Sequence, residues 1–417
     1  MSIGVPRRRL LQAIGALTLG AAAGACGSPR QPPARQLVLR HPKLFGDPRP
    51  LEMLIESFEL DHGVMVRREA LPASSDEQHL FYAINLRARS QEFDVFALDT
   101  IWVAEFAKAG WLRDVSHLFA PTADADFFPG PLASVAWEGR RYALPWFVDA
   151  GVLYYRADLL GEQGITAPRT WAELVVAAQR VRRTHPGMHG FVWQGKQYEG
   201  LVCNALEFIW SHGGDLGAQR EAAARGLAFM RSLVTSGVTP AFVTTLTEEP
   251  ARVLFGRGKS VFMRNWPYAW RLLEQEGSAV RGKVGVRALP HAPGHAAAAT
   301  LGGWHLGVNA FSARAELAGE LAAFLSAAPA QKALALAYGY SPPRRVLYAD
   351  PDVSVAQPFL SSLGALLETA RPRPVSPHYV ALSQTLQAEF SATLTGLQSP
   401  MRSLAAIESE SRALESR

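Results

Sequence analysis

Short apolar runs alternate with amphipathic helical patterns from residue 37 onward, an order that an α/β architecture requires. Residues 37–39 (Leu-Val-Leu) read as a first strand, 51–62 as an amphipathic helix, 64–66 as a second strand and 93–98 as a third, strongly apolar one. Asp99 follows at once and is placed to cap a helix over 101–109, which Gly110 ends. Thr170-x-x-Glu173 is a capping box that opens a helix over 171–183. Residues 260–263 predict a strand, and Pro267 suits the first turn of a helix running to Glu276. A strand over 304–308 leads into an Ala-rich helical stretch over 313–336, and the C-terminal third is mainly helical. A chain of 417 residues with 48% hydrophobic content has material for two or three cores. Two α/β lobes fit this order.

The first 25 residues read differently. Arg7-Arg8-x-Leu10-Leu11-Gln12 resembles a twin-arginine export signal, and the apolar run 10–25 is too short to span a bilayer. Ala23-Gly24-Ala25-Cys26 looks like a lipobox, which would make Cys26 a lipidated N-terminus followed by a Pro-containing tether over 26–36. The net charge of +5 falls to +2 once the three leader arginines are set aside, and no basic stripe remains for nucleic acid. Cys203, the second of two cysteines, lies in an apolar segment and reads as a small buried hydrophobe.

Familiar catalytic signatures are incomplete. Gly256-Arg257-Gly258-Lys259-Ser260 imitates the end of a P-loop, but the first glycine of the motif would fall at Val253 and a strand follows where a helix is needed. The two H-x-x-x-H pairs, His185/His189 and His291/His295, carry Pro and Gly between them, which prevents the helix that would align both imidazoles. No metal or other cofactor is expected. Asp99 and Asp149 remain open as a pair of glycosidase carboxylates.

Polar residues recur beside aromatics where apolar runs end: Asp99 with Trp102, Trp146-Phe147-Val148-Asp149, Asn265-Trp266-Pro267-Tyr268 and Gly302-Gly303-Trp304. In open α/β sheets ligands bind at such strand ends. An aromatic plane packs the C–H face of a sugar ring while a carboxylate accepts its hydroxyls.

These segments resemble the bacterial extracellular solute-binding proteins of ABC importers, in particular the trehalose/maltose-binding group. The likeness rests on Asp94–Asp99 with Trp102, Leu144–Gly151 with Tyr154-Tyr155-Arg156, Phe191–Leu201, Phe262–Tyr268, Leu301–Trp304 and Arg371–Pro377, in the family's order. It implies a two-lobed periplasmic-binding-protein fold of the Venus-flytrap kind, with one lobe from 37–147 and about 296–340 and the other from 148–295 and about 341–417. It also implies a cleft lined by Asp99, Asp149, Tyr198, Trp266, Tyr268, Gly303, Trp304 and Arg373, with Ser75 in the polar turn Ser74-Ser75-Asp76 as a further candidate. The expected partners are a small sugar, probed first as an α-linked disaccharide such as trehalose or maltose, and the membrane subunits of a permease. A lipid anchor would hold the chain, as a monomer, on the outer face of a membrane. One departure is the basic segment Arg40-His41-Pro42-Lys43, where relatives often carry a glutamate. It keeps open a phosphorylated or acidic solute, such as a glycerophosphodiester, held by Arg373, Arg345 or Lys43. A structural envelope lipoprotein with no small ligand is the remaining rival.

Overall fold

The computed structural model describes residues 36–416. The export signal, Cys26 and nearly all of the tether lie outside the described residues.

Two main sheets are built from β1 (Gln36–Pro42), β2 (Met65–Leu71), β3 (Val95–Asp99), β4 (Ala143–Ala150), β5 (Val152–Arg156), β6 (His189–Val192), β7 (Ser260–Asn265), β8 (Val284–Ala288) and β9 (Leu301–Val308). The first sheet runs β2-β1-β3-β9-β4, with β1 parallel to both neighbours and β9 antiparallel to both of its own. The second runs β8-β5-β7-β6. Each sheet carries helices on its faces, so the molecule is two α/β lobes.

Alternation explains why the apolar runs are continuous. Successive side chains point to opposite faces of a strand, and a sheet covered on both faces needs apolar residues at every position. Leu37 and Leu39 pack with Ile55, Phe58, Leu321 and Leu325, while Val38 between them faces Tyr82, Phe93, Phe96 and Trp102. In the second lobe the helix Glu199–Trp210 is buried at every residue, as its nearly all-apolar circumference requires. Cys203 sits within it as a free buried thiol, which burial pushes well up in pKa.

The capping box is complete: the Thr170 hydroxyl accepts from the Glu173 amide and the Glu173 carboxylate accepts from the Thr170 amide. Thr170→Ala is expected to lower stability by about 1 kcal/mol, read as a shift of the urea midpoint at unchanged m-value. Other helices are shorter than their patterns. Pro329 lacks an amide donor, so the stretch 313–336 divides into Ala315–Leu325 and Ala328–Tyr338, with the proline in the first turn of the second. The helix after Pro267 is only Ala269–Leu273, and Glu274 beyond it turns to accept from the Gly282 amide. The helix after Asp99 begins at Val103 and ends at Lys108, which leaves Trp111 past the Gly110 turn, half-buried against Phe106.

The chain passes between the sheets at Gly151, again through 289–300, and again beyond Tyr340, where Ser341 bridges back to Val148. The segment 371–374 lies along the second passage, with Thr300 paired to Arg371. Strand ends, passages and this segment converge on one place.

Candidate functional site

The convergence is built around two buried arginines. Arg264, near the end of β7, is 1% exposed and donates through Nε and Nη2 to Glu207 at 2.8 and 2.6 Å. Glu207 also accepts from the Thr300 amide at 3.1 Å, so one carboxylate holds β7 and the second passage together. The first passage needs a glycine here: a Cβ on Gly151 would lie 2.0 Å from Glu207 Oε1 and 2.6 Å from Arg264 Nη2.

Arg373 is the second hub. Its Nη2 donates to Asp99 Oδ1 at 2.8 Å, at the end of β3, and its Nη1 to Glu199 Oε1 at 2.8 Å, in the other lobe. Glu199 accepts from the Tyr379 hydroxyl at 2.6 Å and from the Ser383 hydroxyl as well. Asp99 additionally accepts from the Ile101 amide at 3.3 Å and the Thr100 hydroxyl, which orders the turn rather than capping the helix two residues on. One guanidinium therefore ties the two lobes at the floor of the cleft.

Asp149 is left without such a partner. It is 8% exposed, and its buried Oδ1 has no hydrogen-bond partner among the described residues. Arg156, close in sequence, is taken by Asp158. Burial raises the Asp149 carboxyl to about 7; Arg264 pulls against this and Asp99 adds to it. Gly302 lies beside it in register and is closely covered: a Cβ would be 3.2 Å from the Trp266 ring and 3.4 Å from the Asp149 Cβ.

The aromatic residues are fixed from behind. The Arg264 guanidinium lies 3.8 Å from the centre of the Trp266 ring, and Trp266 Nε1 donates to Glu248 at 3.4 Å. Glu248 also accepts from the Tyr198 hydroxyl at 2.7 Å, so one carboxylate orients both rings. Trp304 is opposite Asp99 in the ladder and meets Trp102 edge-on at 5.6 Å. Gly303 before it has φ +124°, and a Cβ there would be 2.5 Å from the Phe147 carbonyl. Tyr268 stands further out, its hydroxyl on Glu249 at 2.8 Å and its ring stacked on Phe45.

Asp99, Asp149, Tyr198, Trp266, Gly303, Trp304 and Arg373 thus share one region, with Tyr268 at its edge. Ser75 does not join them by any hydrogen bond; it opens the helix Ser75–Arg87, which Ser74 caps. Its neighbour Asp76 does join electrically. Asp76 is open to water yet ringed by protein, and this crowding, with the carboxylates of Glu199, Asp99 and Glu248, raises its carboxyl to about 6 against the pull of His79. Glu199, Glu248, Asp76, Arg264 and Glu207 escaped the sequence reading. A carboxylate adjoining Tyr198 and an arginine two residues before Trp266 were the available signals. Among the described residues no group of three or more His, Cys, Asp or Glu is arranged to hold a metal ion.

Two lobes joined by crossing segments over a cleft of aromatics, carboxylates and one bridging arginine define a protein that traps a solute. The chain belongs to the bacterial extracellular solute-binding proteins, whose family model matches residues 51–332. It is similar to a probable ABC transporter-binding protein of Deinococcus radiodurans, 37% identical over 371 residues, or 85% of this chain and 88% of that one. Among solved structures it is similar to maltose-bound MalE3 of T. maritima, 40% identical with TM-score 0.86, covering 91% of this chain and 99% of that one. The GacH receptor of Streptomyces glaucescens, known unliganded and with acarbose, shares the fold at TM-score 0.80 and 23% identity. Family and fold are those of an exported, non-catalytic binding protein, so Asp99 and Asp149 are not a hydrolytic pair.

Proposed function

We propose that the protein captures an α-linked disaccharide, of trehalose or maltose type, between its lobes and delivers it to an ABC permease. The observation that carries this reading is the pairing of aromatics with carboxylates on both sides of one cleft. Trp304, Asp99 and Asp149 come from the first lobe, and Trp266, Tyr198 and Glu248 from the second. A ligand touching both sides favours the closed arrangement by its differential affinity for that state. Similarity to a maltose-bound structure and to a transporter-binding protein supports the same reading. In this reading Cys26 carries lipid and the 26–36 tether holds a monomer at the outer face of the membrane.

The test is thermal unfolding of the leaderless chain with trehalose, maltose and sucrose. A ligand at 100 times its dissociation constant stabilises by about 2.7 kcal/mol. The expected result is a clear rise in Tm with one α-disaccharide, and in Trp304→Ala no rise above that variant's own unliganded Tm, which the lost packing on Trp102 lowers. No response to any of the three would sink the disaccharide reading.

A further inference from the structure

The cleft holds more negative charge than its cations can balance. Asp76, Asp99, Asp149, Glu199 and Glu248 surround it, and the two arginines that reach it are already engaged. Arg373 serves Asp99 and Glu199 together, one cation between two carboxylates. Arg264 is committed to Glu207. His79, the imidazole that acts on Asp76, is bonded to Glu105 at 2.8 Å. Asp149 supplies the independent sign that a ligand completes this arrangement. It is a nine-tenths-buried carboxylate whose Oδ1 meets no donor, beside Trp266 and Gly302 at the floor of the cleft.

The basic segment, whose Arg40, His41 and Pro42 form the end of β1, does not correct the balance. Arg40 pairs with Glu69 and lies over the Phe81 ring, His41 is buried against the Pro42 carbonyl, and Lys43 is exposed beyond the strand. Arg345 is held by Glu368 and by the Phe127 carbonyl. Arg40 and Arg345 are thus committed elsewhere, and Lys43, exposed past the strand, is not among the charges that act on Asp149 or Asp76.

Resting on the sugar-capture reading, we propose that the cleft selects its solute by charge: it takes neutral and amine-bearing sugars and refuses acidic ones, with Asp149 and Asp76 making the distinction. A hydroxyl or an ammonium group supplies the donor that Asp149 Oδ1 lacks. A carboxylate or phosphate brings only acceptors and like charge, and the terminal nitrogens of both cleft guanidinium groups are already committed, which leaves Arg373 Nε as their one unpaired donor. The groups facing Asp149 are Asp99 and Arg264, with the hydroxyls of Tyr154, Tyr340 and Tyr348; those facing Asp76 are Glu199, Asp99, Glu248 and His79. Both aspartates have raised pKa values, Asp149 about 7 and Asp76 about 6, so Asp149 is mostly and Asp76 partly protonated at pH 5.5, and both are mostly ionised by pH 8. Discrimination against an anion accordingly strengthens as pH rises.

The experiment is calorimetric titration of the mature chain with trehalose and maltose and with the C6 derivatives of each. The 6-amino-6-deoxy sugar stays cationic and the C6 uronate stays anionic from pH 5.5 to 8, and both are close in size to the parent. At pH 8 the amine is expected to bind at least about 100-fold more tightly than the uronate. That ratio should shrink about tenfold at pH 5.5. Asp76→Asn, a change at an exposed position in the first turn of its helix, and Asp149→Asn should each reduce the ratio at pH 8. A ratio near one at pH 8, or a refusal of the uronate that neither pH nor either variant alters, overturns the proposal and points to steric exclusion. Silence from both neutral parents overturns the sugar reading itself, a result separate from a wrong ranking among ligands that bind.

Discussion

Glu207→Ala is expected to lower the folding stability by about 3–5 kcal/mol, the cost of leaving a buried guanidinium without its counter-ion. Arg264 and Glu207 are 1% and 2% exposed, so neither can turn to water when its partner is removed. Arg264 would keep only Gln194 Oε1 at 3.2 Å and the Trp266 ring, and the Thr300 amide would lose its acceptor. The carboxylate also fills the space that Gly151 leaves open at the first passage, so its removal loosens two interlobe segments together. Urea unfolding of the unliganded chain measures the loss. A change below about 1 kcal/mol would mean that the pair is solvated in a way its burial does not show. The double variant Glu207→Met with Arg264→Met separates charge from packing, because it leaves no ion behind. Apolar replacement of a whole buried pair is often close to neutral, so the double variant should be more stable than Glu207→Ala alone.

The parts of the fold that were legible in the sequence are those specified locally. The apolar 93–98 run announced a strand, which the structure places at Val95–Asp99, and Thr170 with Glu173 announced a helix start that the hydrogen bonds complete. Pro329 carried the signal for the break in the Ala-rich stretch, yet periodicity on either side of it concealed the break. In the cleft, the aromatics and Asp99 were legible because each stands at the end of an apolar run. The groups that hold them were not. Glu199 reaches Arg373 across 174 positions and Asp99 reaches it across 274, distances over which no spacing rule operates. Glu248 lies in the first turn of the helix Glu248–Gly256, and only the fold brings Tyr198 and Trp266 to it from either side in sequence. A composition of 42 basic and 37 acidic residues likewise hides the local excess of carboxylates, because the basic side chains pair elsewhere. Arg373 was expected to donate to the ligand. In the structure its two terminal nitrogens serve protein carboxylates of both lobes, which adds to what its replacement should do.

Arg373→Lys is expected to reduce affinity for the captured sugar at least about 100-fold, although the charge is conserved. The reason is the fork. Nη2 serves Asp99 and Thr100 at 2.8 and 3.1 Å while Nη1 serves Glu199 at 2.8 Å, so one planar group spans acceptors that belong to different lobes. A lysine ammonium is a compact point charge and cannot reproduce that span. A buried charge-assisted hydrogen bond contributes about 1.5–3 kcal/mol. Losing one end of the bridge at Asp99 and misplacing the other at Glu199 therefore corresponds to a factor of roughly 100 or more. Tyr379 and Ser383 still donate to Glu199 in the variant, so the second lobe keeps its own part of the network and the chain should remain folded. Two measurements distinguish a hinge effect from a lost ligand contact: titration with the stabilising disaccharide, and small-angle scattering of the unliganded protein. A wider radius of gyration together with the affinity loss is the outcome expected of a residue that ties the lobes. Affinity within about threefold of the parent would show that Arg373 neither joins the lobes nor touches the ligand in the bound state.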